Sequence, residues 1–389
     1  MKGLLVGAGT IGSVVARDLM LSGCRSLVVA DVDPRKLRAI QSEHHKYIQT
    51  KELDVSDEGA LARIMIDADV AINAASYRFN LHVLRAAIEA RCNMVDLGGL
   101  YHMTMNELEY DRMAKNAGVT AIVGMGDDPG TSNVMARMAS WELDSVSEIK
   151  VRWGSSSTGS EDVAFGFSVA TCLDEATMKA VKFSNGKIVE IPPVSETEVV
   201  EFPAPVGKQR TYAILHSELA TLPKFIEGVR NVSYKDSWDD ATISVVRFLR
   251  SSGFASDSTV KVDGKDVSPR KVLLSLLSPN EPKSAVGCLQ VTALGERKGK
   301  PAKVSYRLGP IYYSDKYRAP TTAYSTAIPA SIVAQMLSKG LIEQKGVLPP
   351  ESFTRSQVGH FLREMKARGL PVRRISMDRW RGPNRVRHP

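Results

Sequence analysis

The sequence has little of what marks secreted, membrane-spanning or metal-binding proteins. Its four cysteines (Cys24, Cys92, Cys172 and Cys288) lie far apart in 389 residues, with no C-x-x-C pair and no histidine at ligand spacing. This spacing predicts reduced structural thiols, with neither a disulfide framework nor a metal site. No apolar run approaches the roughly 20 residues that cross a bilayer. Glycines follow the short apolar segment 4–6 at once, which does not fit a signal peptide. We therefore expect a cytoplasmic protein without a membrane partner.

Aromatic residues are also few, at 6%, and charged residues make up 24%, as in ordinary globular proteins. The net charge of +8 is uneven, because nine basic and two acidic residues follow position 362. One interpretation is a tail that binds nucleic acid or an acidic partner. The segment lacks interleaved aromatics and any known binding motif. We therefore favour a solvated basic helix face that runs into a basic, disordered tail at 371–389, and expect no nucleic-acid partner.

Through residue 124, short apolar segments alternate with helical patterns. The apolar segments lie at 3–7, 26–30, 70–73, 94–96 and 120–123, and a short strand also ends at Asp54. Between them lie helical patterns at 11–21, 34–43, 56–66, 81–90 and 105–116. Strands and helices of this length in alternation predict a parallel sheet with right-handed crossovers. We therefore expect an α/β fold with a Rossmann-type domain over residues 1–124.

The pattern changes after residue 124. A helix is predicted at about 130–142, followed by strand-rich sequence with a turn signal at Ser184-Asn185-Gly186-Lys187. Strands at 290–294 and 303–306 flank a basic segment, 295–300, which predicts a hairpin with an exposed loop. Helical periodicity returns at 327–339. The middle region thus predicts an α+β domain with a mostly antiparallel open sheet.

The glycine motif G-x-G-x-x-G marks a dinucleotide site. It comprises Gly7, Gly9 and Gly12, with Thr10 and Ile11 between the last two, and joins a predicted strand to a predicted helix. Gly7 permits a tight turn, Gly9 lets the backbone approach a pyrophosphate, and Gly12 lets helix and strand pack closely. The helix N-terminus offers N–H groups to the phosphates. This context predicts nucleotide binding rather than a purely structural turn.

The second strand ends at Asp31, followed by Val32, about twenty residues after the glycines. A carboxylate there accepts hydrogen bonds from ribose hydroxyls and repels a 2′-phosphate, which favours NAD. Arg35 and Lys36 lie close enough to bind the phosphate of NADP, or are solvated residues of the next helix. Ligands of open parallel sheets bind off the carboxyl ends of the strands. The further cofactor-binding residues that we predict at such strand ends are Asp54, Val55, Asn73, Ala74 and Ala75.

Two polar clusters follow later strands, at 95–102 and 124–133. In the second, Asp128-Pro129 fits the N-cap and first residue of a helix, which alone would explain both. The helix would nevertheless begin at the sheet edge where the cofactor lies. Helix N-termini bind carboxylates well, so a substrate site is the alternative.

These segments resemble the saccharopine dehydrogenase family, most closely its lysine 6-dehydrogenase branch. The resemblance covers about residues 1–370. The segments that carry it are the glycine motif, D-L-G-G-L-Y-H at 96–102, G-x-D-P-G at 126–130 with Ser132-Asn133, S-N-G-K at 184–187, H-S-E-L-A-T-L-P at 216–223 and G-V-L-P-P-E at 346–351.

The resemblance implies a Rossmann domain completed by a returning segment, 325–370, with a substrate and dimerisation domain, 125–324, inserted between. It implies a homodimer and NAD(P)-dependent oxidation at a C–N bond of an amino-acid substrate. Deamination of the lysine side chain to aminoadipate semialdehyde and ammonia is the main expectation. The alternatives are a saccharopine-type or carboxynorspermidine-type secondary-amine reaction, and a non-catalytic NAD-binding regulator.

Two departures keep the substrate open. Asp128 matches an acidic residue of saccharopine reductases, where many lysine dehydrogenases have a small residue. The segment K-D-S-W-D-D-A-T at 235–242 replaces the arginine-tyrosine-proline-glycine segment of saccharopine reductases. Amine oxidation needs a base near the reacting carbon, and the candidates are Asp128, His102 and His216. The predicted substrate-binding residues are Tyr77, Asp96, Gly98, Gly130, Ser132 and Asn133. Arg78, Arg152 and Arg210 are candidates for holding a substrate carboxylate.

Overall fold

A computed structural model describes residues 1–44, 46–157 and 165–379. In its first part, strands and helices alternate as expected. The strands are β1 Lys2–Val6, β2 Ser26–Asp31, β3 Ile48–Glu52, β4 Val70–Asn73, β5 Asn93–Asp96 and β6 Thr120–Ile122. The helices are α1 Thr10–Leu21, α2 Pro34–His44, α3 Glu58–Met65, α4 Asn80–Ala90, α5 Tyr101–Leu108 and α6 Asp111–Ala117. The single helix expected at 105–116 is thus two, separated by a turn at 109–110.

The middle part builds a second sheet with helices around it. Its elements are α7 Thr131–Ser140, β7 Ser145–Ser156, α8 Val169–Thr177, β8 Ala180–Ser184, β9 Lys187–Ile191, β10 Ser195–Glu201, β11 Lys208–Ala213, α9 Glu218–Phe225, β12 Asn231–Ser237, α10 Asp240–Ser251, β13 Val260–Val262, β14 Lys265–Val267, α11 Pro269–Leu276, β15 Val286–Arg297 and β16 Lys300–Ile311. The chain then returns through α12 Thr321–Ser338, β17 Gly346–Leu348, α13 Arg355–Ala367 and β18 Val372–Arg379.

The first sheet has seven parallel strands in the order β17-β6-β5-β4-β1-β2-β3. Every residue of β4 is buried, as parallel strands covered by helices on both faces require. Val6 pairs with Ala30 and Asn73, and Asn73 pairs with Asp96. This register aligns the carboxyl ends of β1, β2, β4 and β5 along one edge. The Rossmann-type domain is confirmed.

The second sheet has nine strands, in the order β10-β11-β12-β7-β15-β16-β18, with β8 and β9 attached at β12. Only the β12–β7 pair is parallel among its described pairings. The expectation of a mostly antiparallel sheet is therefore confirmed. One hydrophobic cluster joins residues of both sheets, such as Leu5, Val151 and Val291. The two sheets therefore share a core.

The hairpin of β15 and β16 is longer than expected. The pairing runs on to Arg297 and Lys300, so the turn consists of Lys298 and Gly299, both with positive φ. The expected hairpin is confirmed, but its loop is shorter than the expected 295–300. Backbone hydrogen bonds to β16 continue through this polar sequence to Arg297, and Gly295 and Glu296 also pair with β7. The reason is that a charged side chain does not prevent backbone pairing.

Two returning segments differ from the expected boundaries. Helix α12 begins at Thr321, packs on α1, β4 and β5, and is buried on nearly all sides, while β17 pairs with β6. The returning segment therefore begins before 325. The expected disordered tail at 371–389 is wrong for its first part, because 372–379 form β18 on the edge of the second sheet. The remainder, 380–389, lies outside the described residues.

Candidate active site

The loop between β1 and α1 is shaped for close approach to a ligand. Gly7 has a φ of +99°, and a Cβ there would lie 2.7 Å from the Ala74 carbonyl carbon. A Cβ on Gly12 would clash with the Gly7 carbonyl oxygen. The packing of the protein itself therefore requires both glycines. Gly9 differs, because no other described part of the chain lies within 4 Å of a Cβ placed there. Open space at this helix N-terminus fits a dinucleotide pyrophosphate.

Thr10 and Ile11 form the first turn of α1, whose N-cap Gly9 provides no side-chain hydrogen bond. An N-terminus without a side-chain cap leaves its N–H groups to water or to an anionic ligand.

Asp31, at the end of β2, contacts this loop through a hydrogen bond. Its Oδ2 accepts a 2.7 Å hydrogen bond from the Ala8 N–H, and its Oδ1 accepts one of 2.8 Å from the Asp33 N–H. The next residue, Val32, leaves 66% of its surface exposed. A carboxylate beside an exposed apolar side chain fits the ribose and adenine end of a dinucleotide.

Two other predicted cofactor residues stand further along the sheet edge. Asp54 is exposed and accepts hydrogen bonds from the N–H and hydroxyl of Ser56, whereas Val55 is buried. The Asp54 carboxylate therefore stabilises its own turn.

At the end of β4, Asn73 is buried and its amide ties neighbouring loops together. Asn73 donates a 2.9 Å hydrogen bond to Asn80 and accepts one from the Ala75 N–H. Asn80 in turn donates a 3.1 Å hydrogen bond to the Gly98 carbonyl. Ala74 and Ala75 lie against Gly7. The small residues after β4 thus leave the nicotinamide end of the edge open.

Asp96 supports two loops through its hydrogen bonds, and its contact with the substrate stays a prediction. It is completely buried, and its Oδ1 accepts hydrogen bonds of 2.7 and 2.8 Å from the N–H groups of Gly98 and Gly124. Its other neighbour is Glu107 on α5, also completely buried. Burial raises the pKa of Asp96 to about 6 and that of Glu107 well above its usual range. The Asp96 Oδ2 and both Glu107 carboxyl oxygens have no hydrogen-bond partner among the described residues, so a proton on Glu107 would reduce the charge that is buried there.

Three further predicted substrate residues are buried at the start of α7. Gly130 is the N-cap, and a Cβ there would clash with the Gly126 carbonyl oxygen. The Ser132 hydroxyl donates to Glu218 at 2.9 Å, and the Asn133 amide donates to Glu351 at 2.9 Å. These side chains have partners within the protein, and their contact with the substrate stays a prediction. They satisfy buried polar groups where α7 meets the rest of the domain.

Asp128 precedes this helix but does not cap it, because α7 begins at Thr131. The Tyr234 hydroxyl, from β12 of the second sheet, donates a 2.7 Å hydrogen bond to Oδ2 of Asp128. Burial and the neighbouring carboxyls of Asp127 and Glu218 raise the pKa of Asp128 well above its usual range. Asp128 is therefore a carboxyl group whose surroundings favour its protonated form, on the loop after β6 at the carboxyl edge of the first sheet.

His216 lies next to this pair, buried among carboxyl groups. Its ring stacks on Tyr234 with centroids 3.8 Å apart, its Nδ1 contacts Glu218, and its Nε2 is 3.9 Å from Glu175. Burial alone would lower its pKa, but Glu218 and Glu175 raise the pKa of His216 to about 9. A histidine that is cationic at neutral pH is not a base there, so its position supports a positioning role.

His102, the third candidate, is separate from these two. It is exposed at the start of α5, and its charged neighbours are Asp174 and Arg78. Burial of part of the ring lowers the pKa of His102. The structure therefore brings together Asp128 and His216 but places His102 in a neighbouring cleft.

That cleft has a volume of about 630 Å³. Its lining residues are Tyr77, Arg78, His102, Met103, Asp174, Thr177, Met178, Arg250, Ala255, Ser256 and Asp257. Asp174 accepts hydrogen bonds from the Tyr77 hydroxyl at 2.8 Å and from Arg78 at 3.1 Å. Of the predicted substrate residues, Tyr77 is thus at the cleft.

Of the three candidate arginines, only Arg78 lines the cleft. Arg152 is buried beneath the second sheet's polar face and pairs with Glu198 at 2.8 Å. Arg210 is exposed and lies 3.5 Å from Asp240. Which of the three holds the substrate carboxylate stays a prediction, with Arg78 the one that lies at the cleft.

A surplus of acidic groups surrounds the Asp128–Tyr234 pair. Within the described residues, His216 is the one basic side chain that forms an ion pair with any of them. The carboxyl groups of this acidic cluster are Asp127, Asp128, Glu175, Glu218 and Asp236. Burial raises the pKa of Glu175 to about 8 and that of Asp236 to about 7. An ammonium ion bound here would offset this surplus.

Sequence reasoning missed several of these groups. Tyr234, Asp174 and Glu175 come from the second domain, where no strand-end regularity or motif singles them out. Glu218 lies within a family segment, but nothing in that segment predicts contact with His216 and Ser132.

In the part of the chain that the structure describes, no cluster of three or more histidine, cysteine, aspartate or glutamate side chains is arranged to hold a metal. Among these residues, no helix is both long and apolar enough to span a membrane.

Two family models match consecutive parts of the chain, in agreement with its two-domain organisation. Residues 4–122 match the family described as Saccharopine dehydrogenase NADP binding domain, and residues 126–370 match Saccharopine dehydrogenase C-terminal domain. These matches confirm NAD(P) as the cofactor.

Full-length relatives have low identity. Carboxyaminopropylagmatine dehydrogenase of Synechocystis sp. is 24% identical, over 95% of this chain and 96% of that protein. Carboxynorspermidine synthase of Vibrio cholerae is 25% identical, over 95% of this chain and 96% of that protein. The solved apo saccharopine dehydrogenase (L-Glu forming) from Saccharomyces cerevisiae has a TM-score of 0.70 at 18% identity, covering 96% of this chain and 100% of that one. This structural likeness supports the fold alone.

Proposed function

The chain belongs to the saccharopine dehydrogenase family and is an NAD(P)-dependent oxidoreductase that acts on amine groups, and we propose that its product is a secondary amine. In this reaction an amine with a second cationic group condenses with the aldehyde of an amino acid. Water leaves as the imine forms, and a hydride and a proton then reduce the imine. Reduced NAD(P) supplies the hydride when bound.

The observation that carries this proposal is the acidic cluster around the Asp128–Tyr234 pair. Five carboxyl groups share one histidine as their ion-pair partner, and a bound cation would favour their ionised forms, so the cluster favours a substrate that brings positive charge. The names of these two full-length relatives agree with this proposal, since each name combines a carboxyl group with an amine-rich chain. Oxidative deamination of lysine, the main expectation from the sequence, has less support than this alternative.

Asp128 has the position and protonation for acid–base work. A protonated Asp128 can give its proton to the hydroxyl group that leaves as water during imine formation. The Tyr234 hydroxyl stabilises the resulting carboxylate through Oδ2. In the opposite direction, the carboxylate can accept the proton of the amine. His216, held as a cation by Glu218 and Glu175, positions the Tyr234 ring by stacking on it.

The experiment is a panel of substrates followed through the absorbance of reduced cofactor. A carboxyaminopropyl group has the four-carbon skeleton of aspartate semialdehyde. Aspartate semialdehyde is therefore the aldehyde probe. Agmatine, 1,3-diaminopropane and putrescine are the amine probes, and lysine with oxidised cofactor tests deamination. We expect cofactor oxidation that needs both aldehyde and amine. Reduction of NAD(P) by lysine alone, without the coupled reaction, would overturn the proposal.

NAD is the proposed cofactor, in preference to NADP. Asp31 lies at the end of β2, from which an acidic residue binds the ribose 2′-hydroxyl in this motif, and the Arg35 guanidinium is already paired with Asp33 at 3.1 Å. Negative charge at this position disfavours an additional phosphate.

A cytoplasmic homodimer is also proposed, with the second sheet as the dimerisation domain. The family resemblance supports both. Light scattering of the purified protein tests the oligomer, and a mass equal to that of one chain would contradict it.

A further inference from the structure

The cleft beside Tyr77 is built from three parts of the molecule. Tyr77, Arg78, His102 and Met103 come from the first domain, and Asp174 with its helix α8 comes from the second. The remaining wall, including Arg250 and Asp257, comes from the helical segment α10–α11, residues 240–276. The cleft begins where β4 ends, so it lies next to the nicotinamide end of the dinucleotide site.

Most of the charge in this cleft is balanced internally. Arg78 pairs with Asp174 at 3.1 Å and with Asp257 at 3.4 Å. Arg270, just behind the wall, pairs with the same two carboxylates at 2.8 and 3.4 Å. Two arginines thus offset two aspartates.

The positive charge of Arg250 is not offset by these two aspartates. Across residues 1–44, 46–157 and 165–379, its guanidinium has no ion pair or hydrogen bond to another side chain. His102, on the facing wall, has a lowered pKa and adds no charge at neutral pH. The cleft therefore carries one uncompensated positive charge.

The position of Arg250 is held by the segment that carries it. Asp239 caps α10 by accepting a 2.8 Å hydrogen bond from the Thr242 N–H. The buried Arg270 of α11 donates to the carbonyls of Ala255 and Ala170 at 2.9 and 3.1 Å, and so ties the segment to α8. These contacts fix the backbone at Arg250, whose exposed guanidinium can bind a carboxylate through paired hydrogen bonds.

We propose that this cleft is the subsite for the substrate carboxylate, with the Arg250 guanidinium as its partner. The inference rests on the proposed function, because it assigns the carboxylate-bearing aldehyde to the cleft and the cationic amine to the acidic cluster. The two ends of the substrate then meet near Asp128, and opposite charges keep each end from the other's subsite.

The test separates binding from turnover. L-Homoserine, the alcohol that corresponds to aspartate semialdehyde, is titrated calorimetrically into wild-type protein and into Arg250→Gln, Arg250→Lys and Arg247→Gln variants. Arg247 lies on the same helix, is exposed and is outside the cleft lining, so it is the matched control. We expect Arg250→Gln to weaken binding roughly 10- to 100-fold, as for a lost charge-assisted hydrogen-bond pair. Arg250→Lys should retain part of the affinity, and Arg247→Gln all of it.

Equal affinity of Arg250→Gln and Arg247→Gln for L-homoserine would overturn the subsite. Failure of the proposed function has a different signature, namely no cofactor oxidation by wild-type protein with any amine and aldehyde. In active protein, Arg250→Gln should raise the KM for aspartate semialdehyde and leave the KM values for agmatine and NADH unchanged. Propionaldehyde, which lacks the carboxylate, should react equally with wild type and variant.

Discussion

The hydroxyl group of Tyr234 donates a 2.7 Å hydrogen bond to Oδ2 of Asp128 and so links the second sheet to the loop after β6. The two residues are 106 positions apart. Asp128 lies between β6 of the first sheet and α7, whereas Tyr234 lies on β12 of the second sheet, so the acid–base pair exists only when the two sheets are packed together.

Replacing Asp128 by asparagine should abolish most turnover and leave cofactor binding intact. The amide keeps the side-chain shape but cannot donate and accept the proton, so kcat should fall by about 10²- to 10⁴-fold. The dissociation constant of NADH, measured by fluorescence titration, should not change. A variant that keeps most of its kcat would exclude Asp128 as the acid.

Tyr234→Phe should have a smaller effect and a distinct one. The hydrogen bond from Tyr234 lowers the pKa of Asp128, so its loss should raise that pKa further. If the protonated carboxyl is the active form, the alkaline limb of the kcat profile should move to higher pH. An unchanged profile would mean that Tyr234 is only structural.

Gly9→Ala and Gly12→Ala should separate cofactor binding from folding. Gly9 has a φ of −74°, which alanine adopts, and open space at its Cβ. Its variant should keep its melting temperature but bind NADH about tenfold more weakly, a loss of about 1.4 kcal/mol. Gly12→Ala should instead lower stability by about 1–3 kcal/mol or more, because its Cβ would clash with the backbone. Thermal unfolding and NADH titration of both variants check this, and unchanged affinity in Gly9→Ala would contradict the assigned site.

Thermal stability should fall as the pH rises from about 5 to about 9. Burial raises the pKa of Glu351 from 4.5 to about 7, and carboxylates raise the pKa of His216 from 6.5 to about 9. Because each pKa is higher in the folded protein, the protonated form favours folding. The stabilisation is complete below the unfolded pKa and is lost as the pH passes the folded one.

Glu351→Gln should flatten the stability profile between about pH 4.5 and 7, the window in which the glutamate loses its proton. Glu343→Gln, at an exposed position, is the control and should leave the profile unchanged. Melting temperatures measured at half-unit pH steps decide the result, and identical profiles for the two variants would refute the assignment.

Asp31→Asn should shift cofactor preference towards NADP. The amide keeps an acceptor for the Ala8 N–H but removes the charge that opposes a 2′-phosphate. We expect the ratio of kcat/KM for NAD to that for NADP to fall by about tenfold, and Asp67→Asn, exposed and remote from the loop, to leave it unchanged. A wild-type preference for NADP would contradict the proposed cofactor from the outset.

The sequence was sufficient for the dinucleotide domain because its signals are local. The strand before Gly7, the helix after Gly12 and the acid at Asp31 are contiguous or nearly so, and each follows from backbone geometry. Residues 371–379 show the limit of such reasoning. Their basic composition suggested a tail, but a strand edge on β16 was available to pair with them, and only the fold reveals an unpaired edge.

The amino-acid sequence by itself determined the Rossmann-type sheet, the nicotinamide cofactor and Asp128 as an acid worth testing. Only the tertiary structure decided the partners of that acid, the burial of Asp96, Ser132 and Asn133, and the separation of His102 from His216. The physical reason is that pKa values and substrate contacts depend on burial and on charges brought close from distant parts of the chain. Local patterns specify backbone conformation, but Asp128, Tyr234 and His216 become one group only through packing between segments that are distant in the sequence.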